Sequence, residues 1–169
     1  LVVTAGRSPN TEGLGLAEMG IETDKRSAII VGDDMQTSRP GVYAAGDVTN
    51  RDPFVYMAAY GAKLAARNAF DGAERYDNGT MPWVVFTDPQ VAGVGLSEAE
   101  ALAAGHEVKT SVLGLDNVPR ALAARDTRGL VKLVADAKTH RLLGGVLVAP
   151  EGSDSIQTLA LALKFGMTT

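Results

Sequence analysis

Val42-Tyr43-Ala44-Ala45-Gly46-Asp47 is an apolar run that ends on a glycine and a lone carboxylate. Short, β-compatible and closed by Gly and Asp, it predicts a buried strand whose last residue points out of the carboxyl end of a sheet. Open α/β folds bind ligands at that edge. Asp52-Pro53 follows, an N-cap type beside a first-turn type, so a helix is predicted over residues 53–70. Its small residues, among them Ala58, Gly61, Ala62 and Ala65, allow another backbone to come close, and Lys63 and Arg67 mark a wet face. A strand ending at Asp47 beside a helix amino end offers a hydroxyl-binding carboxylate next to a positive dipole, which is half of a cofactor site. An Asp that only stops a strand and caps a turn fits the same residues equally well.

Composition narrows the classes. With 46% hydrophobic residues among 169, the chain can bury a substantial core as one or two domains. Sixteen basic and twenty acidic residues give a net charge of −4 with no Lys/Arg cluster, which argues against nucleic acid as a partner. No apolar run approaches the ~20 residues needed to span a bilayer, so no membrane partner is expected. Zero cysteines exclude disulfides, thiolate metal sites and thiol nucleophiles within these residues. The chain opens without Met inside a β-like run and stops after a helical segment, so an internal fragment of a longer protein is expected.

Outward from the central stretch, Leu1-Val2-Val3-Thr4-Ala5 predicts a buried strand leaving through a turn at residues 6–10. Gly13, Gly15 and Gly20 lack G-x-G-x-x-G spacing and predict a loop with a short helix at residues 14–19. Ala28-Ile29-Ile30-Val31 is a further predicted strand, and the polar connector at residues 71–80 is the predicted domain boundary. Beyond it come short strands at 83–86, 91–95, 107–113, 130–134 and 142–148, the last two forming a hairpin. Ser97 and Glu100 have capping-box spacing for a helix ending at Gly105, and Ser153 or Asp154 is expected to cap a final helix to Phe165. Short strands with two helices predict an antiparallel sheet in an α+β domain. His106 and His140 fall at a helix exit and a turn without a partner at ligand spacing, so surface roles and no zinc are expected.

Four blocks carry a resemblance: Thr4-Ala5-Gly6-Arg7-Ser8-Pro9-Asn10, Tyr43-Ala44-Ala45-Gly46-Asp47, Phe86-Thr87-Asp88-Pro89-Gln90-Val91-Ala92, and residues 144–162. They resemble the flavoprotein disulfide reductases, in order and nearly end to end. Within that family, Phe54-Val55-Tyr56-Met57-Ala58-Ala59, Leu115-Asp116-Asn117-Val118-Pro119-Arg120 and Asp126-Thr127-Arg128-Gly129 resemble the mercuric reductase group rather than the dihydrolipoamide dehydrogenases. The resemblance implies α/β followed by α+β structure: the end of a NAD(P)H-binding domain at 1–10, the returning part of an FAD-binding domain at 11–80, and a dimerisation domain at 81–169. It implies FAD and NADPH as cofactors, Hg(II) as substrate, and a cytoplasmic homodimer as parent.

The resemblance also assigns residues. Asp47 matches the carboxylate that binds a ribitol hydroxyl of FAD, with Gly46, Phe54 and Val55 beside it. Gly6 matches a glycine that brings backbone near the nicotinamide nucleotide, and Arg7 is expected to brace its turn. Tyr56, where the dehydrogenases carry His, matches a tyrosine that lies beside mercury-binding cysteines. A phenol is a poor ligand for a soft cation, so thiolates from outside these residues must dominate Hg(II) binding. Dithiol oxidation of the dihydrolipoamide dehydrogenase type is the same-class alternative, and a dimerisation module without chemistry is the alternative from another class. With no cysteine, residues 1–169 alone are not expected to turn over.

Overall fold

Met57, Gly61, Leu64, Ala65 and Asn68 recur at helical spacing with no proline among them, and they form the buried stripe of helix α1 (Val55–Asn68). In the computed structural model, which describes residues 1–169, this helix belongs to the first of two units, Leu1–Asp77. Lys63 and Arg67 lie on its exposed face, as predicted. Its stripe packs on fully buried Met35 and on Ala45, with Leu64 only 1% exposed. At its far end the buried Asn68 amide donates to the carbonyls of Asp34 and Glu74, at 2.9 and 2.8 Å, and accepts from the Glu74 amide.

The rest of this unit departs from the predicted strands. Residues 1–5 pair with nothing and expose Leu1, Val2 and Val3. Ala28 and Ile29 are buried, but the segment makes only single bridges, Thr23 with Ile29 and Val31 with Thr37. The Val42 to Asp47 run is half-buried and bridges once, between Gln36 and Tyr43, before a 3-10 turn at Asp47–Thr49. An apolar run becomes a ladder strand only where a neighbouring strand pairs with it over several residues, and here the neighbours of residues 28–31 and 42–47 supply isolated bridges only. Residues 14–19 form successive turns rather than a helix. The helix starts two residues later than predicted because Asp52 takes a left-handed φ of 45°, incompatible with the extended N-cap conformation, which Phe54 adopts instead.

The second unit, Asn78–Thr169, is a five-stranded antiparallel sheet in the order β1-β2-β5-β4-β3. Its strands are β1 (Trp83–Val85), β2 (Gln90–Gly95), β3 (Val108–Gly114), β4 (Leu130–Asp136) and β5 (Leu142–Ala149). The β4-β5 hairpin forms where turn residues separate two alternating runs. Trp83 pairs with Gly93 and lays its ring over it, where a Cβ would come within 2.5 Å of the indole.

One face of the sheet, through Ala92, Val94, Leu147 and Ala149, shares a core with Leu115 and with Ile156 and Ala160 of helix α4 (Gly152–Lys164). Helix α2 (Glu98–Ala103) begins with the predicted capping box, both of its hydrogen bonds formed between Ser97 and Glu100. Helix α3 (Pro119–Ala124) is a third helix, where only an alanine-rich excursion was expected. Neither Ser153 nor Asp154 caps α4: the N-cap is Glu151 in a left-handed conformation, and the Ser153 amide donates to Gln90 Oε1 at 2.8 Å. No helix is long and apolar enough to cross a membrane.

His106, expected at the surface without a partner at metal-ligand spacing, meets a carboxylate. Its Nδ1 lies 3.2 Å from Asp136 Oδ2, while Asp136 Oδ1 accepts from the amides of Lys138 and Thr139 and from the Thr139 hydroxyl. These donors, the Thr139 amide first and then His106, hold the Asp136 carboxyl well below the usual range, at about 2. A depressed carboxyl contributes stability in full above the ordinary carboxylate range and loses it as pH falls through the folded value. Asp136→Asn is therefore expected to lower the urea midpoint at neutral pH, with the gap to wild type closing as pH drops from about 4 towards 2. A gap that persists unchanged through that window would show that the bonds to Asp136 are not charge-assisted.

Candidate functional site

The carboxylate, the glycine before it and the helix entrance are brought together by a contact of small side chains. Gly46 has a φ of 82° and sits so close to α1 that a Cβ on it would lie 3.1 Å from Ala58 Cβ. One turn on, a Cβ on Gly61 would meet Met35, Ala45 and Tyr76 at 3.3 to 3.6 Å. The glycines thus let α1 lie directly against the residues that lead to Asp47. The Thr49 hydroxyl donates to the Gly46 carbonyl at 2.8 Å and closes the 3-10 turn, after which Asn50 reverses the chain at a φ of 52°.

Asp47 is half exposed, its side chain at 54%, and Arg7 Nη1 approaches its Oδ2 at 3.3 Å. The same nitrogen donates to the Pro53 carbonyl at 2.8 Å, so one guanidinium joins the segment after Gly6, the carboxylate and the entrance to α1. An ion pair this exposed is worth ~0–1 kcal/mol, so a ligand hydroxyl can displace Arg7 from Asp47 at little cost. Gly6 itself has a φ of 81° with open space where a Cβ would stand; its backbone conformation, rather than room, calls for glycine.

Phe54 is half-buried, while Val55 and Tyr56 are 83% and 71% exposed in the first turn of α1. No side chain caps that turn and no acidic residue stands in it, so its free N–H groups and positive dipole end remain available to an acceptor. No group of three or more His, Cys, Asp or Glu side chains is arranged to hold a metal ion.

Behind the loop of residues 47–54 lies a cluster that sequence reasoning missed. The Tyr76 hydroxyl donates to Asp52 Oδ2 at 3.1 Å, and the Arg51 guanidinium lies 4.3 Å over the Tyr76 ring. Arg51 and Arg75 bind the two oxygens of Asp33 at 2.9 and 2.6 Å and lower its carboxyl below the usual range. Burial, and then the Asp52 charge, push the Tyr76 phenol up, so it stays protonated as a donor. The available signal was a lone aromatic inside a polar connector, Glu74-Arg75-Tyr76-Asp77.

Against known proteins, residues 81–169 match the family model for the pyridine nucleotide-disulphide oxidoreductase dimerisation domain, and residues 1–67 match that for pyridine nucleotide-disulphide oxidoreductase. The chain is 49% identical to the mercuric reductase of Acidithiobacillus ferrooxidans over 99% of its own length and 31% of that protein's. It is 48% identical to that of Lysinibacillus sphaericus, again over 99% of its own length and 31% of the relative's. The chain thus spans about a third of the length of the curated relatives it matches. Among solved structures, LpdA of Mycobacterium tuberculosis superposes with a TM-score of 0.83 at 33% identity, covering 98% of this chain and 36% of that one. The Cu(II) complex of the HOCl-induced flavoprotein disulfide reductase RclA of Escherichia coli gives 0.84 at 28% identity, covering 98% and 39%.

The contact at Gly46 is open to test. Gly46→Ala is expected to cost about 1–3 kcal/mol in urea unfolding through its positive φ, plus the clash with Ala58. Ala58→Gly alone is expected to cost about 1 kcal/mol as a glycine inside a helix, and a double variant that loses less than the sum of the two single variants would register the crowding between residues 46 and 58.

Proposed function

Since the chain belongs to the pyridine nucleotide-disulphide oxidoreductase family, we propose that it is part of an FAD- and NADPH-dependent enzyme that reduces Hg(II) to Hg(0). The observation that carries this reading is the end-to-end similarity to mercuric reductases, at 48% and 49% identity over 99% of the chain. Residues 1–10 would end the NAD(P)H-binding domain, 11–80 would return to the FAD-binding domain, and 81–169 would join two copies into a homodimer. A cytoplasmic location belongs to the same reading.

The donor set suits a flavin. Asp47 keeps Oδ1 clear of Arg7 and accepts a ribitol hydroxyl there in a charge-assisted bond. Gly46 lets α1 pack directly on the backbone beside the carboxylate, which sets Asp47 next to the amino end of the helix. Phe54 and Val55 open α1, whose uncapped N–H groups stabilise negative charge on a ligand carbonyl. When bound, FAD supplies the two-electron relay between NADPH and a thiol pair. Gly6 brings backbone towards the nicotinamide nucleotide at the exit of the first segment.

Tyr56 stands exposed at the tip of α1, where its hydroxyl meets the mercury ion beside thiolates. Those thiolates lie outside these residues, because the chain has no cysteine. They provide the affinity for a soft cation, and the phenol orients and hands over the ion. In balance, NADPH gives up two electrons as hydride and Hg(II) takes two to become Hg(0).

The test is made on the full-length enzyme: NADPH oxidation driven by Hg(II) in excess thiol, with lipoamide as control substrate. Hg(II)-dependent oxidation with little lipoamide activity is expected, and lipoamide turnover without a mercury response would transfer the chain to dithiol oxidation. Tyr56→Phe is expected to lower mercury turnover about ten-fold, the scale of one lost hydrogen bond, with flavin content unchanged. Wild-type turnover in that variant would remove Tyr56 from the mechanism.

A further inference from the structure

We propose that Tyr76 is a positioning residue: it clamps the loop of residues 47–54 to the flank of α1 and so fixes the orientation in which Tyr56 meets the mercury ion. The inference deepens the reading of Tyr56 as the mercury-side residue and rests on it. Tyr76 lies between the stretches matched by the two family models, 1–67 and 81–169, so neither match accounts for it.

Tyr76 grips the chain on both sides of residue 56. On the loop side its hydroxyl donates to Asp52 Oδ2 at 3.1 Å, and its ring carries the Arg51 guanidinium at 4.3 Å. On the helix side its ring centroid lies 5.2 Å from that of Tyr60, one turn beyond Tyr56, and its Cε2 edge faces Gly61. At only 7% exposed, the ring has little freedom to leave this place. Its backbone is pinned as well, the Tyr76 amide donating to the Asp33 carbonyl at 2.7 Å while Asp33 itself binds Arg51.

The need for a clamp is visible in the loop. Asn50 and Asp52, two residues apart, both hold left-handed conformations, with φ of 52° and 45°. Asn and Asp adopt left-handed backbone more readily than other non-glycine residues, and two of them this close still rely on their surroundings to hold one geometry. At Asp52 the surroundings include the Tyr76 hydroxyl and the Asp52 carbonyl's acceptance of the Phe54 amide at 2.7 Å. Phe54 is the N-cap of α1, so the Asp52 geometry is passed directly to the first turn and to Tyr56. Displacing a reacting group by ~1 Å can cost up to ~100-fold in rate, which makes such a distant clamp consequential.

The experiment uses the full-length, flavin-loaded enzyme with Tyr76→Leu, Tyr76→Phe and Asp52→Gly, the last of which accepts the positive φ but loses the carboxylate. Hydrogen exchange across residues 47–58 is measured beside kcat and KM for Hg(II), KM for NADPH, and flavin content. Tyr76→Leu is expected to speed exchange in that segment selectively and to lower kcat for Hg(II) roughly ten-fold, with flavin content and KM for NADPH unchanged. Tyr76→Phe, which keeps the ring under Arg51, should recover part of that loss, and Asp52→Gly should loosen the same segment. If Tyr76→Leu does not fold, Tyr76→Phe and Asp52→Gly decide the matter by the same readouts.

Wild-type exchange in the segment, exchange raised evenly over the whole of residues 1–77, or local loosening with wild-type Hg(II) turnover each overturns the proposal. An absence of Hg(II) turnover in the wild-type enzyme would instead sink the functional reading, and the exchange of residues 47–58 would then decide alone whether Tyr76 holds the loop.

Discussion

Where α1 crosses the Ala45-Gly46 backbone, the distance is set by side chains that are not there. Gly46 faces Ala58 and Gly61 faces Ala45 and Met35, so neither partner can be enlarged without separating the two. The close approach leaves only residues 48–54 to carry the chain from Asp47 into the helix. Within that short loop two non-glycine residues, Asn50 and Asp52, take left-handed conformations. Strain of this kind persists when neighbours hold it, and the Tyr76, Arg51 and Asp33 contacts stand directly behind the strained residues. The helix pressed on a glycine, the short loop beside it and the contacts behind that loop thus form one continuous piece of structure.

The two ends of α1 are treated in opposite ways. At its carboxyl end the buried Asn68 amide makes three good hydrogen bonds, and the Asn68 carbonyl accepts from the Tyr43 hydroxyl at 3.1 Å. Breaking a satisfied buried group of that kind costs the desolvation of several partners at once. At its amino end no side chain caps the turn, and Val55 and Tyr56 project from the surface. The helix is therefore anchored by its far end, while its near end carries no side-chain cap. The exposed Arg7–Asp47 pair follows the same logic, being close enough to organise the carboxylate and too solvated to hold it against a competitor.

What was legible in the sequence divides along the range of the interactions concerned. The capping box at Ser97 and Glu100, the β4-β5 hairpin and the buried stripe of α1 depend on residues a few positions apart, and local patterns reported them. The runs at residues 1–5, 28–31 and 42–47 have strand composition but find at most isolated bridges within their unit, and composition cannot say how far a run will pair. The loop around Asp52 was misread because Asp-Pro is also a good helix start. In the fold Asp52 is left-handed instead, and its carboxylate accepts from the Tyr76 hydroxyl, 24 residues away. Asp47, Tyr56 and the glycine at 46 were visible as positions, while the contacts that hold them, from Arg7 and Tyr76, come from segments whose own sequences give no sign of where they fold.

On the proposed reading, the electrostatics of α1 also constrain how mercury is met. The positive end of a helix disfavours a bare divalent cation and favours anions, so an uncapped first turn suits thiolates and a ligand carbonyl better than free Hg(II). Two thiolates neutralise the ion they bind, and a neutral complex can approach the same turn without that penalty. A phenol at position 56 fits this arrangement because it adds a polar oxygen without adding charge. Its weakness as a soft-metal ligand then becomes useful, since a group that binds Hg(II) loosely can steer the ion between stronger ligands without trapping it. A side chain acting in that way depends on where it is held more than on how tightly it binds, which places the demand on the loop and helix that carry Tyr56.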